Sequence, residues 1–321
     1  MIEEKIGVHC FYVSENFNGQ RIDNFLRVYL KTIPKSMIYR IIRTGKIRVN
    51  RKRVNFQYRL KMGDLLKIPA VKVIKSQHFF TYNTSKMMSL KNTIIYEDEC
   101  LLAMNKPAGV AVHGGSNLQF NIIDSLRALY PKTQFLELVH RLDRGTSGIL
   151  LIAKNRSVLT CLHEQLRLQK IRKEYLAIVY GEWNFNVTVI SKPLIKKRNY
   201  CGNRINSILI DSKIGKIAST YFYIKEHFSN IATFLKIKPL TGRTHQIRVH
   251  TQYAAHPIIG DRIYGNYQIN MWFQKLGLNR LFLHASVLHF IHPCTKEILS
   301  IHAPVGQSFK DCLNILRQLG N

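Results

Sequence analysis

Two polar segments of this 321-residue chain gather residue types that do chemistry together. The first is His140-Arg141-Leu142-Asp143-Arg144-Gly145-Thr146-Ser147-Gly148-Ile149-Leu150. One carboxylate, Asp143, stands among Arg141, Arg144 and small hydroxyl and glycine residues. An arginine neighbour favours the ionised form of a carboxylate, which suits a nucleophile or an electrostatic partner. Gly145 and Gly148 give backbone freedom and room for a ligand. A polar loop feeding a buried strand is a common place for function. Read alone, the segment is more readily a turn in which Asp143 caps backbone amides. The second is Thr241-Gly242-Arg243-Thr244-His245-Gln246-Ile247-Arg248-Val249-His250. Here Ile247 and Val249 alternate with Gln246, Arg248 and His250, the pattern of a half-buried strand. On such a strand His245 and His250 face opposite ways, which argues against a shared metal. The His-Glu-x-x-His zinc motif is also missing: after His163-Glu164 the matching position is Arg167.

The elements that must position these segments form a β-rich texture. Short strand patterns cover 101–104, 148–153, 175–179, 218–224 and 232–237. Helical patterns cover 122–129, 156–168 and 307–318. Strands and helices do not alternate regularly, so the spacing predicts an α+β domain on a mixed, mainly antiparallel sheet.

Residues 20–69 read as a separate small unit. Ile22, Phe25, Leu26, Tyr29 and Leu30 fall at helical spacing. A break at Thr32–Pro34 leads to a second helix burying Met37, Ile38, Ile41 and Ile42, with Gly45 as its stop. Lys46–Asn50 alternates as a strand, Gly63-Asp64 is a turn, and Leu65–Ile68 is a strand that Pro69 ends. The exposed face carries Lys35, Arg40, Arg43, Lys46, Arg48, Arg51, Lys52 and Arg53. "RIDNFL", "PKSMIYRIIRTGKIRVN" and "GD" together resemble the S4 RNA-binding module, with Arg51 where many such modules carry Gly. The expected organisation is an S4-like domain over 1–75, a linker over 76–92 and a large domain over 93–321.

Composition agrees. Net charge is +29 and 46% of residues are apolar, so a core is expected together with a polyanionic partner. Cys10, Cys100, Cys161, Cys201, Cys294 and Cys312 are scattered, with no close pair or metal-ligand spacing; free, reduced thiols are expected. The N-terminus lacks the pattern of a signal peptide. Apolar runs such as Ile149 to Ala153 are far short of the ~20 residues of a membrane span. These features predict a cytoplasmic protein that does not enter a membrane.

The longer motifs point to a family. "NKPAGVAVHGG" (105–115), "HRLDRGTSGILLIAK" (140–154), "RKEYLAIVYG" (172–181) and "TGRTHQIRVHTQYAAHPIIGDRIYG" (241–265) resemble, in order and spacing, the motifs of the RluA-type pseudouridine synthases. Gly145 stands where relatives often have Asp. The resemblance implies isomerisation of uridine in RNA, most closely as in members that act on large-subunit (23S) ribosomal RNA, free or in an assembling subunit. It implies no cofactor and no metal, because only the base is turned about its own sugar. The enzyme is expected to be a monomer.

The resemblance also assigns roles. Asp143 becomes the catalytic carboxylate, Arg243 the arginine that pairs with it, and Tyr175 the aromatic that packs on the flipped base. Ile247 lines the uracil pocket, Arg141 enters the RNA stack or contacts a phosphate, and Arg144 and His140 bind substrate around the loop. Alternatives are a synthase of the same family with other ribosomal or transfer RNA targets, and an inactive S4-type assembly factor. A nucleoside hydrolase would need a second carboxylate; Glu137, the only acid close by in sequence, lies in the apolar stretch "FLELV".

Overall fold

The computed structural model describes residues 3–6, 8–30, 33–74, 84–114, 120–133, 135–196 and 207–320. It divides into two compact units, Met1–Tyr82 and Asn83–Asn321.

The first unit holds β1 (Glu3–Ile6), β2 (His9–Tyr12), α1 (Ile22–Tyr29), α2 (Lys35–Arg43), β3 (Arg48–Val49), β4 (Lys52–Arg53), β5 (Leu65–Ile68) and β6 (Val71–Ile74). Its sheet runs β2-β5-β3-β4, and β1 pairs with β6 as a separate ribbon. Ile22, Phe25 and Leu26 of α1 and Ile38, Ile41 and Ile42 of α2 form stripes at helical spacing and pack with Val49, Leu66 and Ile68. Tyr29 and Met37, expected inside, lie at the surface. Gly45 ends α2 at φ +68°, donating its N–H to the Ile42 carbonyl. Buried Asp64 accepts from Asn50 Nδ2 (2.7 Å), Tyr58 Oη (3.0 Å) and the Lys61 N–H (2.8 Å), which fixes the β3–β4 turn. Lys35, Arg40, Arg43, Lys46, Arg48, Arg51, Lys52 and Arg53 are all exposed.

The second unit begins with α3 (Thr84–Lys91), β7 (Ile94–Glu97), β8 (Leu101–Lys106), α4 (Ile122–Leu129), β9 (Glu137–Leu138), β10 (Ser147–Ala153) and α5 (Arg156–Arg167). It continues with β11 (Arg172–Tyr180), β12 (Val189–Ser191), β13 (Leu194–Lys196), β14 (Ile208–Ile210), β15 (Ser219–Phe228), β16 (Ala232–Pro239), α6 (Gln246–Tyr253) and α7 (Tyr267–Lys275). Last come β17 (Leu283–Ile291), β18 (Ile298–His302) and α8 (Gln307–Gly320). One ten-stranded sheet runs β12-β15-β16-β11-β17-β10-β8-β7, with β18 on β17 and β9 on β10. Its pairs are antiparallel except β10 with β17. The expected mixed, mainly antiparallel α+β fold is present. Every residue of the central strand β10 is buried, as its continuous apolar run requires.

Three expectations are corrected. Residues 246–253 form a helix, not a strand: six consecutive residues, Gln246 to Thr251, are buried, so no polar face betrays the helical period. Residues 84–91 form α3 within the expected linker, and Leu90 anchors it in the core; residues 76–83 of that linker lie outside the described residues. Cys100 and Cys294, 194 positions apart, form a disulfide. The cause is topological: β8 runs antiparallel to β10 and β10 parallel to β17, so the start of β8 and the end of β17 meet at one edge. Cys10, Cys161 and Cys312 are free thiols, and Cys201 lies outside the described residues. Asp98 and His292 sit beside that disulfide. His292 Nδ1 accepts the Thr295 N–H (3.1 Å), so its Nε2 proton goes to Asp98 Oδ2 (2.9 Å) and the pair is satisfied internally.

Candidate active site

Three pieces of chain meet around Asp143: the loop entering β10, strand β11, and the N-terminus of α6. The loop is held by backbone contacts. The Thr146 N–H reaches the Asp143 carbonyl (3.1 Å), and Arg144 exchanges two hydrogen bonds with Gly109, backbone and Nε, at 2.8 Å each. Beneath it lies Lys106, fully buried, its ammonium donating to the carbonyls of Pro107, Val110 and Arg144 at 2.9, 2.9 and 3.2 Å. Burial, helped by the nearby Arg280 charge, pulls its pKa down to about 7. Gly148 is required on the adjoining strand: it has φ +108°, and a Cβ there would stand 2.1 Å from the Ala285 carbonyl oxygen.

At the start of α6, Gln246 takes the place of a capping residue. Its Oε1 accepts from the Arg243 N–H (3.0 Å) and Thr241 Oγ1 (2.7 Å), while its Nε2 donates to Thr220 Oγ1 (2.9 Å) and the Ser219 carbonyl (3.0 Å). Two residues on, Arg248 donates from Nε and Nη2 to Asp261 (2.7 and 2.8 Å) and from Nη1 to Asp143 Oδ2 (3.0 Å). Burial opposes the arginine's charge, but bonding and attraction from Asp261 and Asp143 outweigh it and hold its pKa above the ordinary value. His245, left-handed at φ 54°, brings Nε2 to 3.5 Å from the same Asp143 oxygen. Its Nδ1 lies 2.8 Å from Tyr264 Oη, which accepts the Ile208 N–H at 2.7 Å. Burial lowers the histidine's pKa against the pull of Asp143. Both contacts to Asp143 use Oδ2; among the described residues no hydrogen bond reaches Oδ1.

The expected Arg243–Asp143 pair is therefore corrected. Arg243 is exposed, its Nε donating to the Ile217 carbonyl (3.0 Å), because it sits in the loop before α6, whereas Arg248 lies in the first turn of the helix and is buried.

Asp143 stands between two hollows. One, of about 120 Å³, is lined by Arg141, Leu142, Lys173, Tyr175, Arg243, Ile247 and neighbours. Burial, with the Asp143 charge adding, pushes the Tyr175 hydroxyl well above its ordinary pKa. The other, about 560 Å³, is lined by Arg141, Arg144, Arg248, Arg262 and Arg280 among others. The site thus offers a carboxylate at the lip of a small aromatic-walled pocket, facing an arginine-rich groove.

Of the residues singled out in the sequence, Asp143, Tyr175, Arg141, Arg243 and Ile247 line the small pocket, and Arg144 the groove. His140 lines neither: its Nε2 accepts the Leu151 N–H at 3.2 Å, and burial drives its pKa down to about 3. Arg248, Asp261, His245, Tyr264 and Lys173 were missed. The second arginine of the motif, five positions after Arg243, is the signal that could have found Arg248.

The RNA pseudouridylate synthase family model matches residues 100–253 and the S4 domain model residues 20–66. The chain is 50% identical over 320 residues to the Ribosomal large subunit pseudouridine synthase C of Escherichia coli (strain K12), covering 99% of each. It is 50% identical over 312 residues to that of Haemophilus influenzae, covering 97% of this chain and 96% of the relative. The solved Human RNA Pseudouridylate Synthase Domain Containing 4 superposes with TM-score 0.61 at 24% identity, over 74% of this chain and 98% of that one, a likeness of fold.

Proposed function

The chain belongs to the RNA pseudouridylate synthase family, and from that premise we propose that it converts uridines of large-subunit ribosomal RNA to pseudouridine, with Asp143 as the reacting carboxylate. The reaction breaks the N1–C1′ bond, turns the uracil, and joins C5 to C1′, with loss of the C5 proton to solvent and uptake of a proton at N1. Product and substrate have the same formula, so the chemistry calls for no external oxidant, reductant or group donor. What it needs is a carboxylate at the sugar–base junction and a pocket that retains the detached ring.

One observation carries the reading: Asp143 is held through Oδ2 by Arg248 and keeps Oδ1 for the reacting atoms, at the lip of a pocket floored by Tyr175 and Ile247. A stacked, paired uridine cannot present these atoms, so the base must leave the helix. Tyr175 then supplies a stacking surface, and Ile247 an apolar wall. Arg141 is exposed and shared by both hollows; its role is to enter the gap in the RNA stack or to contact a phosphate. Arg144 with the other groove arginines suits the flanking phosphates. The exposed basic residues of the S4 unit add affinity without sequence choice. We take the enzyme to act as a monomer, and a ribosomal RNA substrate supports action in the cytoplasm. Among the described residues no helix is long and apolar enough to cross a membrane.

The test is tritium release from [5-³H]uridine-labelled ribosomal RNA by the wild type and by Asp143→Asn, with pseudouridine mapping of the product. Release of free uracil instead would mark a hydrolase. RNA binding without release would mark an assembly factor.

A further inference from the structure

Lys173 is the unexplained group of the small pocket. It lies on β11 two residues before Tyr175, half-buried, and lines the same 120 Å³ hollow. Among the described residues its ammonium has no hydrogen-bond or ion-pair partner. The contrast with nearby lysines is sharp. Lys106 is more deeply buried, yet spends all three protons on carbonyls. Lys238 pairs with Glu174 at 2.8 Å, and so uses up the carboxylate adjacent to Lys173 in sequence. The Lys173 amine instead lies against the wall of the pocket formed by Gly242, where a Cβ would stand 3.4 Å from Nζ. Burial alone lowers its pKa, whereas Tyr175 also feels Asp143. Among the described residues no hydrogen bond or ion pair joins Lys173 to Asp143, whose side-chain partners are Arg248 and His245.

An ammonium is a donor only. Left without a partner in a half-buried site it is a cost to the fold, and a ligand that presents an acceptor relieves it. In uracil the atom opposite N1 across the ring is C4, which carries the O4 carbonyl. With the N1–C1′ bond held at Asp143, O4 points away from it, towards the far side of the pocket. Cytosine carries an amino donor at that position and would set donor against donor.

We propose that Lys173 is the substrate-binding residue that reads the O4 carbonyl of the flipped uracil, and that it excludes cytosine from the pocket. This rests on the pseudouridine synthase reading of the same site.

The test uses the full chain and a large-subunit RNA fragment containing a mapped target uridine, with the same fragment carrying cytidine there as a competitor. Tritium release by the wild type tests the underlying reading independently of Lys173. Lys173→Met keeps length and removes the charge. The variant is expected to melt at the wild-type temperature or above it, because an unpartnered charge is gone. Its kcat/KM should fall about 10- to 100-fold, the loss of one charge-assisted hydrogen bond. The wild type should be inhibited weakly by the cytidine fragment, and Lys173→Met as strongly as by a uridine analogue. Lys173→Arg, which keeps a donor, should recover part of the preference. Wild-type kcat/KM in Lys173→Met overturns the proposal. So does a slow variant that still discriminates against the cytidine competitor, which would make Lys173 a proton acceptor or a structural residue.

Discussion

Arg248 Nη1 donates to Asp143 Oδ2 at 3.0 Å while Nε and Nη2 of the same guanidinium are both committed to Asp261. The arginine is therefore fixed by a buried carboxylate before it touches the reacting one. Asp261 is itself anchored by the N–H groups of Ile263 and Tyr264 (2.9 and 3.1 Å). A lysine cannot reproduce this fork. Arg248→Lys is expected to lower turnover by about 100-fold or more, the usual loss when one preorganised electrostatic partner goes. Asp143→Asn keeps the shape and should abolish detectable tritium release while shifting stability by only ~1 kcal/mol. If Asp143→Asn turned over normally, the carboxylate would be no more than a loop cap.

Arg243 should behave differently from Arg248, although sequence reading gave it the pairing role. It is exposed and bonded to a backbone carbonyl, so removing it leaves Asp143 in place. Arg243→Ala is expected to leave kcat near the wild-type value, raise KM, and reduce the slope of log affinity against log salt by about 1 if it contacts one phosphate. A collapse of kcat with unchanged affinity would return Arg243 to the chemistry.

His140 should act on stability with pH rather than on substrate. In the fold its Nε2 accepts the Leu151 N–H and burial lowers its pKa from 6.5 to about 3. The unfolded chain thus takes up this proton first on acidification. Stability falls as the pH drops through the unfolded value near 6.5 and keeps falling towards about 3, at up to ~1.4 kcal/mol per pH unit from this one group. Urea unfolding between pH 7 and pH 4 should show a shallower slope for His140→Gln than for the wild type. Equal slopes would show that other groups carry the acid sensitivity.

The same contrasts show what was legible in the sequence. Helix α4 runs Ile122–Leu129, the range its 3.6-residue pattern predicts, because one face is buried and its start is capped by Asn121 accepting the Asp124 N–H (3.0 Å). Strand β10 was readable as an unbroken apolar run. Helix α6 was not readable. Its polar residues are turned inward and bonded: Gln246 to Ser219 and Thr220, Arg248 to two aspartates, His250 to Thr220 (2.9 Å) and the Lys192 carbonyl (3.1 Å). A buried polar helix has no amphipathic period, and over five residues its alternation passes for a strand. The pairing role went to Arg243 instead of Arg248 for the same reason, since only the helix decides that residue 248 and not 243 points inward.

The S4 unit offers a separate test, on strain and charge. The β3–β4 turn places Asn50 at φ 48° and Arg51 at φ 66°. Two left-handed residues in succession match the tight hairpin turns that favour Asn-Gly. Arg51 therefore sits where Gly is relaxed and an L side chain costs roughly 1–2 kcal/mol. It sits at an exposed site among basic neighbours, which is what an RNA-contacting residue predicts and a purely structural turn does not. Arg51→Gly is expected to stabilise the unit by about 1 kcal/mol in thermal or urea unfolding. It should also weaken RNA binding, with the salt slope reduced by about 1 and no change in kcat at saturating RNA. Arg51→Ala separates the two effects: it should lose the same RNA affinity without gaining the stability, because alanine shares the left-handed penalty. If Arg51→Gly gained stability and bound RNA as tightly as the wild type at every salt concentration, Arg51 would not be part of the RNA-binding face.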